Sequence, residues 1–311
     1  MRQGEVIRVF DGEDKGIFER WKVKESQRAG HIYLVRVENV FVKPPLCVSA
    51  VGACVDASSD VDQITAMYWN KEFVEACEYM SGNYAGIPEP LDFFNTIRSE
   101  ASINATEWPF IVYYYPPGNF VRPLDPRAVR NADKLFKEVY KLAAAVGHTM
   151  KAVHSDKVLL RQVDLENLRF LRVTRQYFLA ECFAMGKMGQ STYDPHHPYL
   201  VLDESKAAPE CFDTQGEQTS STDVYALGRL VMTFLGVRET PRDEEKITES
   251  LGRIEQRYKV SLRRELVRAL KMALKQDPRD RLQTPGQFLA MLKDPKFTPE
   301  ARHQQPQRRK F

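Results

Sequence analysis

The fold is decided by three short strings in the second half of the chain: Ala208–Glu210 (APE), Asp223–Gly228 (DVYALG) and Asp277–Leu282 (DPRDRL). Each string alone is a weak signal. Their order along the chain and the distances between them make a much stronger signal together. They therefore provide a frame against which the remaining segments can be placed.

Helical patterns dominate the part of the chain around this frame. Apolar periodicity predicts helices over Thr222–Leu235, Leu262–Lys275 and Thr284–Leu292. A longer helix is predicted to begin after Asn131, which has a side chain suited to an N-cap, and to continue to about His154.

Strand patterns dominate the first half. Glu19–Lys24 and Ile32–Val37 carry alternating or β-branched residues, and Phe110–Tyr115 is a compact apolar run followed by a Pro-Pro-Gly linker. The stretch Pro44–Asp60 lacks periodicity and is predicted to be an insertion or irregular loop. From Val61 the pattern becomes helical, with one apolar face formed by Trp69, Phe73, Cys77 and Met80.

Composition limits the possible classes of protein. The chain has 311 residues, of which 43% are hydrophobic, and a net charge of +3. This fits a globular protein of two lobes, and the absence of a basic stripe argues against a nucleic-acid partner. No apolar run is long enough for a transmembrane segment. Among the five cysteines, Cys47, Cys54 and Cys77 allow one disulfide, but free buried thiols are favoured.

The three strings resemble the APE, DVWSLG and DPxxR motifs of the protein kinases, and the resemblance extends from about Gly12 to Leu292. It implies an α+β fold with a β-rich N-lobe and an α-helical C-lobe. It also implies a buried ion pair between Glu210 and Arg281, and a carboxylate at Asp223 that accepts hydrogen bonds from the catalytic loop. Gly228 closes the second motif. These are structural roles.

The same resemblance places the catalytic loop at residues 160–167. Asn167 retains the family's asparagine, but Gln162 replaces the aspartate that accepts the substrate proton, and an amide cannot act as that base. The DFG motif falls on residues 181–183, where Glu181 replaces the aspartate that holds magnesium. Octahedral magnesium tolerates the longer side chain poorly.

The phosphate loop is also altered. Along the family register only Gly16 remains of three glycines, and Asp14 and Glu19 bring negative charge towards the phosphates. Arg36 replaces the lysine of the VAIK strand, and its planar fork does not reproduce the contact of a lysine. We therefore expect no bound cofactor, and neither the cysteines nor His196 and the histidine after it predict a metal site.

We predict an N-lobe over residues 1–115 with an insertion after the third strand, a helical C-lobe over 116–298 and a disordered basic tail over 299–311. The chain is interpreted as a pseudokinase, an inactive scaffold or regulatory module that binds a protein. Two alternatives stay open. One is a divergent active kinase that uses Asp164 as its base, and the other is a switch that binds nucleotide without transferring phosphate.

The altered glycine loop and the insertion are similar to those of the secreted apicomplexan kinases without a glycine loop, including their bradyzoite pseudokinase member. This similarity implies secretion into the parasitophorous vacuole or cyst compartment, whereas the chain would otherwise be expected in the cytoplasm. The partner would be an active kinase or a vacuolar membrane protein.

Overall fold

The structure is a computed structural model that describes residues 6–10, 17–29, 32–39, 50–55, 62–88, 90–98, 108–114, 118–189, 191, 193–196, 199–239, 241 and 243–299. The predicted boundary between the lobes at 115–116 lies outside these residues. So does the predicted basic tail, apart from its first residue.

The first part of the chain forms a closed antiparallel barrel with the strand order β1-β2-β3-β4-β6-β5. The barrel closes because β1 also pairs with β5, through Arg8 with Arg98 and Val9 with Ile97. Its strands are β1 (Val6–Phe10), β2 (Ile17–Ala29), β3 (Ile32–Asn39), β4 (Ala50–Val55), β5 (Pro90–Arg98) and β6 (Trp108–Tyr114). The strands predicted over Glu19–Lys24, Ile32–Val37 and Phe110–Tyr115 fall within β2, β3 and β6.

The strand β4 corrects one prediction. The stretch Pro44–Asp60 was expected to be irregular, but Ala50–Val55 pairs with β3 on one side and with β6 on the other. Backbone hydrogen bonds on both edges stabilise this strand, although its small residues show no clear alternation. The pattern of side chains was therefore a poor guide here.

A single helix, α1 (Gln63–Met80), packs against β4 and β6. Asp62 caps its N-terminus, because its carboxylate accepts from the amides of Ile64 and Thr65. The predicted apolar face is confirmed, since these side chains are all buried: Trp69, Phe73, Cys77 and Met80. Cys77 is a free thiol, whereas Cys47 and the side chain of Cys54 lie outside the described part of the chain.

The second part of the chain is mainly helical. Asn131 is the N-cap of α2, as predicted. Its side-chain Oδ1 accepts a hydrogen bond from the backbone amide of Lys134 at 2.8 Å. The helices are α2 (Ala132–Ser155), α3 (Ser220–Phe234), α4 (Glu244–Tyr258), α5 (Arg264–Ala273) and α6 (Pro285–Lys293). Four of them agree with the predicted helices to within two residues at each end.

Helix α4 is not among the predicted helices. Its composition is strongly polar, yet its buried side chains follow helical spacing: Ile247, Leu251, Ile254 and Tyr258. Asp243 caps it by accepting from the amide of Lys246 at 2.7 Å. Both signals are present in the sequence, but the many charged residues between the apolar positions obscure them.

Short strands connect the helices: β7 (Asn119–Phe120), β8 (Val158–Leu159), β9 (Leu168–Leu171), β10 (Gln176–Leu179) and β11 (Gly186–Lys187). They form one sheet in the order β10-β9-β7 and a second sheet of β11 and β8. The segments between β8 and β11 carry the predicted catalytic positions. Among the described residues, no helix is long and apolar enough to cross a membrane.

Helix α3 lies at the centre of the helical part and packs against α2, α5 and α6. Gly228 allows α5 to approach closely, because a Cβ atom at this position would lie only 2.8 Å from the Cβ of Ala273. Such a separation is shorter than van der Waals contact. The glycine of the second motif therefore has a packing role.

We expect Gly228→Ala to lower the free energy of unfolding by about 1–3 kcal/mol, because the added methyl overlaps a rigid neighbour. Gly252→Ala in α4 is the matched control, since no atom lies within 4 Å of its added Cβ. There the change should raise stability by up to about 1 kcal/mol through helix propensity. Chemical denaturation of both variants measures the difference, and equal effects would contradict the close approach of α3 and α5.

Candidate functional site

The carboxylate of Asp223, in the first turn of α3, organises the loop that follows β8. Its Oδ1 accepts from the amide of Arg161 at 2.7 Å, and its Oδ2 accepts from the amide of Leu160 at 3.0 Å. The ring Nε2 of His154 lies 2.8 Å from the same Oδ2. These contacts hold Arg161 in the left-handed region, at a φ of 60°.

The guanidinium of Arg161 is buried and forms hydrogen bonds to the segment that follows β10. It donates from Nε to the carbonyl of Ala184 and from Nη2 to the carbonyl of Met185, both at 2.7 Å. A side chain at Gly186 would overlap this guanidinium. The buried guanidinium of the loop after β8 is therefore bonded to two main-chain carbonyls of the segment after β10.

Glu210 and Arg281 are brought together by the structure. Nη1 of Arg281 donates to Oε1 of Glu210 at 2.6 Å, and Nη2 donates to Oε2 at 2.8 Å. Thr222 also donates to Oε1 at 2.8 Å. Both partners are buried, and this bidentate pair connects the APE segment to the turn before α6.

Gln162 stands at the position of the base and makes two hydrogen bonds with its amide. Its Nε2 donates to Oδ2 of Asp164 at 2.9 Å, and its Oε1 accepts from the amide of Asp203 at 2.9 Å. Asp203 belongs to the segment just before the APE string. The Gln162 side chain thus links the loop to the segment that covers it.

Asp164 is buried in an ion pair. Nη1 of Arg229, from α3, donates to its Oδ1 at 2.5 Å, and Nζ of Lys206 lies 3.7 Å from its Oδ2. Together with the amide of Gln162, these groups engage both carboxylate oxygens. Accepting a proton from a substrate would require this carboxylate to give up contacts that it already makes.

Glu181 stands at the position of the metal ligand, beside Asn167 and Arg169. Nδ2 of Asn167 donates to its Oε2 at 3.4 Å, and Nη2 of Arg169 lies 4.0 Å from its Oε1. Burial raises the pKa of the Glu181 carboxyl, and the nearby charge of Arg169 opposes that increase. A cation supplied by the protein therefore lies beside the carboxylate at the metal position.

Arg169 is fixed in place by its surroundings. It is 2% exposed, and its Nη1 donates to the carbonyls of Glu166 and Leu168. The ring of Phe120, on the neighbouring strand β7, covers the guanidinium with its centroid 3.3 Å from Cζ. This cation–π contact and the carbonyl acceptors keep the charge beside Glu181.

Glu72 connects α1 to the segment before the APE string. Its Oε2 accepts from the amide of Leu200 at 2.8 Å. Burial raises the pKa of this carboxyl, and the charge of Arg161 opposes the increase. The carboxylate of this helix is thus directed at the segment that covers the catalytic loop.

Of the remaining predicted positions, Glu19 and Arg36 belong to strands of the barrel. Asp14 and Gly16 lie outside the described residues. Glu19 is on β2 opposite Arg8, and Arg36 is on β3 between Glu25 and Val51. Their side chains are likewise outside the described part of the structure.

No protein-family model and no curated protein sequence matches the chain. Solved structures do. The PknI kinase domain of Mycobacterium tuberculosis aligns with a TM-score of 0.59 and 16% identity, over 89% of this chain and 96% of that domain. The granulovirus kinase PK-1 of Cydia pomonella aligns with a TM-score of 0.57 and 15% identity, over 86% of this chain and 91% of that kinase. The chain has a protein-kinase-like fold. This agrees with the predicted two-lobed α+β class.

In kinases, such a fold holds ATP together with magnesium. The described residues do not fit a metal ion, because Glu181 faces a buried guanidinium rather than an open coordination position. Among the described residues, no group of three or more His, Cys, Asp and Glu side chains could hold a metal. His196 donates its amide to Asp194 in an exposed turn and belongs to no such group.

The structure adds three residues that the sequence interpretation missed: His154, Arg169 and Arg229. All three pair with carboxylates that the motifs had already located. Arg229 follows the DVYALG string directly, and an arginine in an otherwise apolar helix was a usable signal for a buried partner. Arg169 lies in the apolar strand β9, where a lone charge gave the same signal.

We expect Glu210→Ala to lower the free energy of unfolding by about 3–5 kcal/mol, because it leaves the Arg281 guanidinium buried without its carboxylate. Glu217 is exposed, and Glu217→Ala is the control, for which a change within about 0.5 kcal/mol is expected. Thermal and urea unfolding of both variants provide the measurement. If the two variants unfold alike, the pair makes no net contribution to stability.

Proposed function

We propose that this chain is a pseudokinase, a kinase-like module that transfers no phosphate and acts by binding another protein. One observation carries the proposal. The carboxylate of Glu181, at the metal position, faces the buried guanidinium of Arg169 at 4.0 Å. A magnesium ion at the same carboxylate would be repelled by this fixed charge and would meet too few free oxygen ligands.

The position of the base supports the same proposal. Gln162 cannot accept a proton from a substrate hydroxyl, and its amide is already bonded to Asp164 and Asp203. Asp164 is the one nearby substitute that the sequence offered. Its ion pair with buried Arg229 opposes the divergent-kinase alternative, because protonating Asp164 would break that pair.

The contacts that stabilise the fold support a role in binding. Asp223, Glu210 and Arg281 make the buried contacts that hold the loop, the APE segment and the helices in a fixed arrangement. A rigid surface loses little conformational entropy on association, which favours recognition of a partner. A binding module needs a stable surface but no catalytic groups. The contacts of Asp223, Glu210 and Arg281 supply that stability, whereas the positions of the base and the metal ligand are altered.

The partner and location follow from the sequence resemblance. We propose a protein partner, an active kinase or a vacuolar membrane protein, met after secretion into a vacuole or cyst compartment. Immobilised chain should retain such a partner from the native source, and the purified partner should bind again in isolation. ATP and magnesium should not change that binding, whereas release on addition of ATP would favour the nucleotide-switch alternative.

Nucleotide binding is tested by thermal shift. We expect no increase in melting temperature with magnesium and ATP below millimolar concentration, because a ligand stabilises only a fold that binds it. Magnesium alone and ATP with EDTA serve as controls for each component. A dose-dependent increase at micromolar ATP that requires magnesium would overturn the proposal.

Phosphoryl transfer is tested with purified chain, magnesium or manganese, and generic protein substrates. We expect no incorporation of phosphate into the chain or the substrates. Asp164→Asn and Asn167→Ala, prepared in the same host, distinguish genuine activity from contamination. Activity that disappears in both variants would establish an active kinase, whereas activity equal in all three preparations would come from a contaminating enzyme.

A further inference from the structure

A basic cleft lies between the end of α3 and helix α4, and neither Glu181 nor Gln162 lines it. Its volume is ≈ 860 Å³, and one side is formed by Ser205 and Lys206 of the segment before the APE string. Buried Leu235 and Ile254 supply an apolar floor. The cleft is therefore a concave surface with an apolar base, which is the form of many binding sites.

The described lining of the cleft carries more cations than anions. Two carboxylates, Glu239 and Glu249, face a larger set of basic side chains. These are Lys206, Arg238, Lys246, Arg253 and Arg257. The lining thus has a net charge of +3, which is as large as the net charge of all 311 residues together.

Three of these cations already have carboxylate partners. Lys246 is 3.0 Å from Asp243, Arg253 is 2.5 Å from Glu249, and Lys206 is 3.7 Å from both Asp164 and Asp203. Arg238 and Arg257 are exposed and form no ion pair with any described carboxylate. These two guanidinium groups are the ones available to an incoming ligand.

The guanidinium of Arg257 lies against the turn that follows α3. Gly236 has a φ of 91°, and any side chain at this position would overlap the Arg257 guanidinium. The arginine therefore lies against bare backbone, with its Cζ 5.9 Å from the centre of the Tyr258 ring. This position places a planar donor at the edge of the cleft.

We propose that this cleft binds an acidic segment of a protein partner, in which two or more carboxylates accept from Arg238 and Arg257 while an apolar side chain contacts the floor. Guanidinium groups pair bidentately with carboxylates, and arginine is enriched among the residues that contribute most to protein interfaces. The apolar floor favours a peptide over a nucleic-acid backbone, which offers phosphates but no aliphatic group. The inference rests on the proposed binding function and names the surface that performs it.

A phage-displayed library of random twelve-residue peptides, selected on the purified chain, tests the proposal. We expect enriched peptides with at least two Asp or Glu residues beside an apolar residue. Synthetic versions should bind at least about tenfold more weakly to the double variant Arg238→Glu/Arg257→Glu. They should also weaken when their own Asp and Glu are replaced by Asn and Gln.

Lys137→Glu/Lys151→Glu is the charge-matched control, because both lysines are exposed on α2 and neither lines the cleft. Peptide binding to this variant should equal binding to the wild type. The proposal is overturned if no peptide is enriched, if the enriched peptides lack carboxylates, or if both double variants weaken binding equally. The nucleotide and phosphate-transfer assays do not depend on these arginines, so failure of the cleft and failure of the pseudokinase proposal are separately recognisable.

Discussion

The buried carboxylate of Asp223 is the interaction on which the arrangement of the helical part depends. Three donors, from Leu160, Arg161 and His154, converge on its two oxygens. Such a carboxylate is stable away from water because each donor offsets part of its desolvation, and its place in the first turn of α3 adds the favourable end of the helix dipole. Without it, the left-handed backbone of Arg161 would lose the acceptor of its amide.

Through Arg161, the carboxylate of Asp223 also determines where the segment after β10 lies. Once the backbone of Arg161 is fixed, its side chain reaches the carbonyls of Ala184 and Met185. The ion pair of Glu210 with Arg281 then holds the other end of the same segment. The kinase-like fold of the helical part is thus held by contacts between the protein's own charged groups and its main chain.

Most of the fold could be predicted from the sequence, because its signals are local. The Asn131 cap, the apolar face of α1 and the helices around the three strings follow directly from residue type and spacing. The strand β4 could not be recognised, since its stability comes from two neighbours distant in sequence. Helix α4 was obscured by its charged residues. At the site, motifs located Gln162 and Glu181, but only the three-dimensional structure showed that Arg169 and Arg229 lie against acidic partners.

The hydrogen bond between Gln162 and Asp164 limits which side chains position 162 can accept. An aspartate at position 162 would place two carboxylates where an amide now donates at 2.9 Å, and their repulsion would disfavour the shared ionised state. The buried pair of Asp164 with Arg229 prevents Asp164 from moving away. A single change of Gln162 to aspartate would therefore be poorly accommodated by its neighbours. The side chain at 162 is therefore coupled to those at 164 and 229, and an aspartate at 162 would require compensating changes at both.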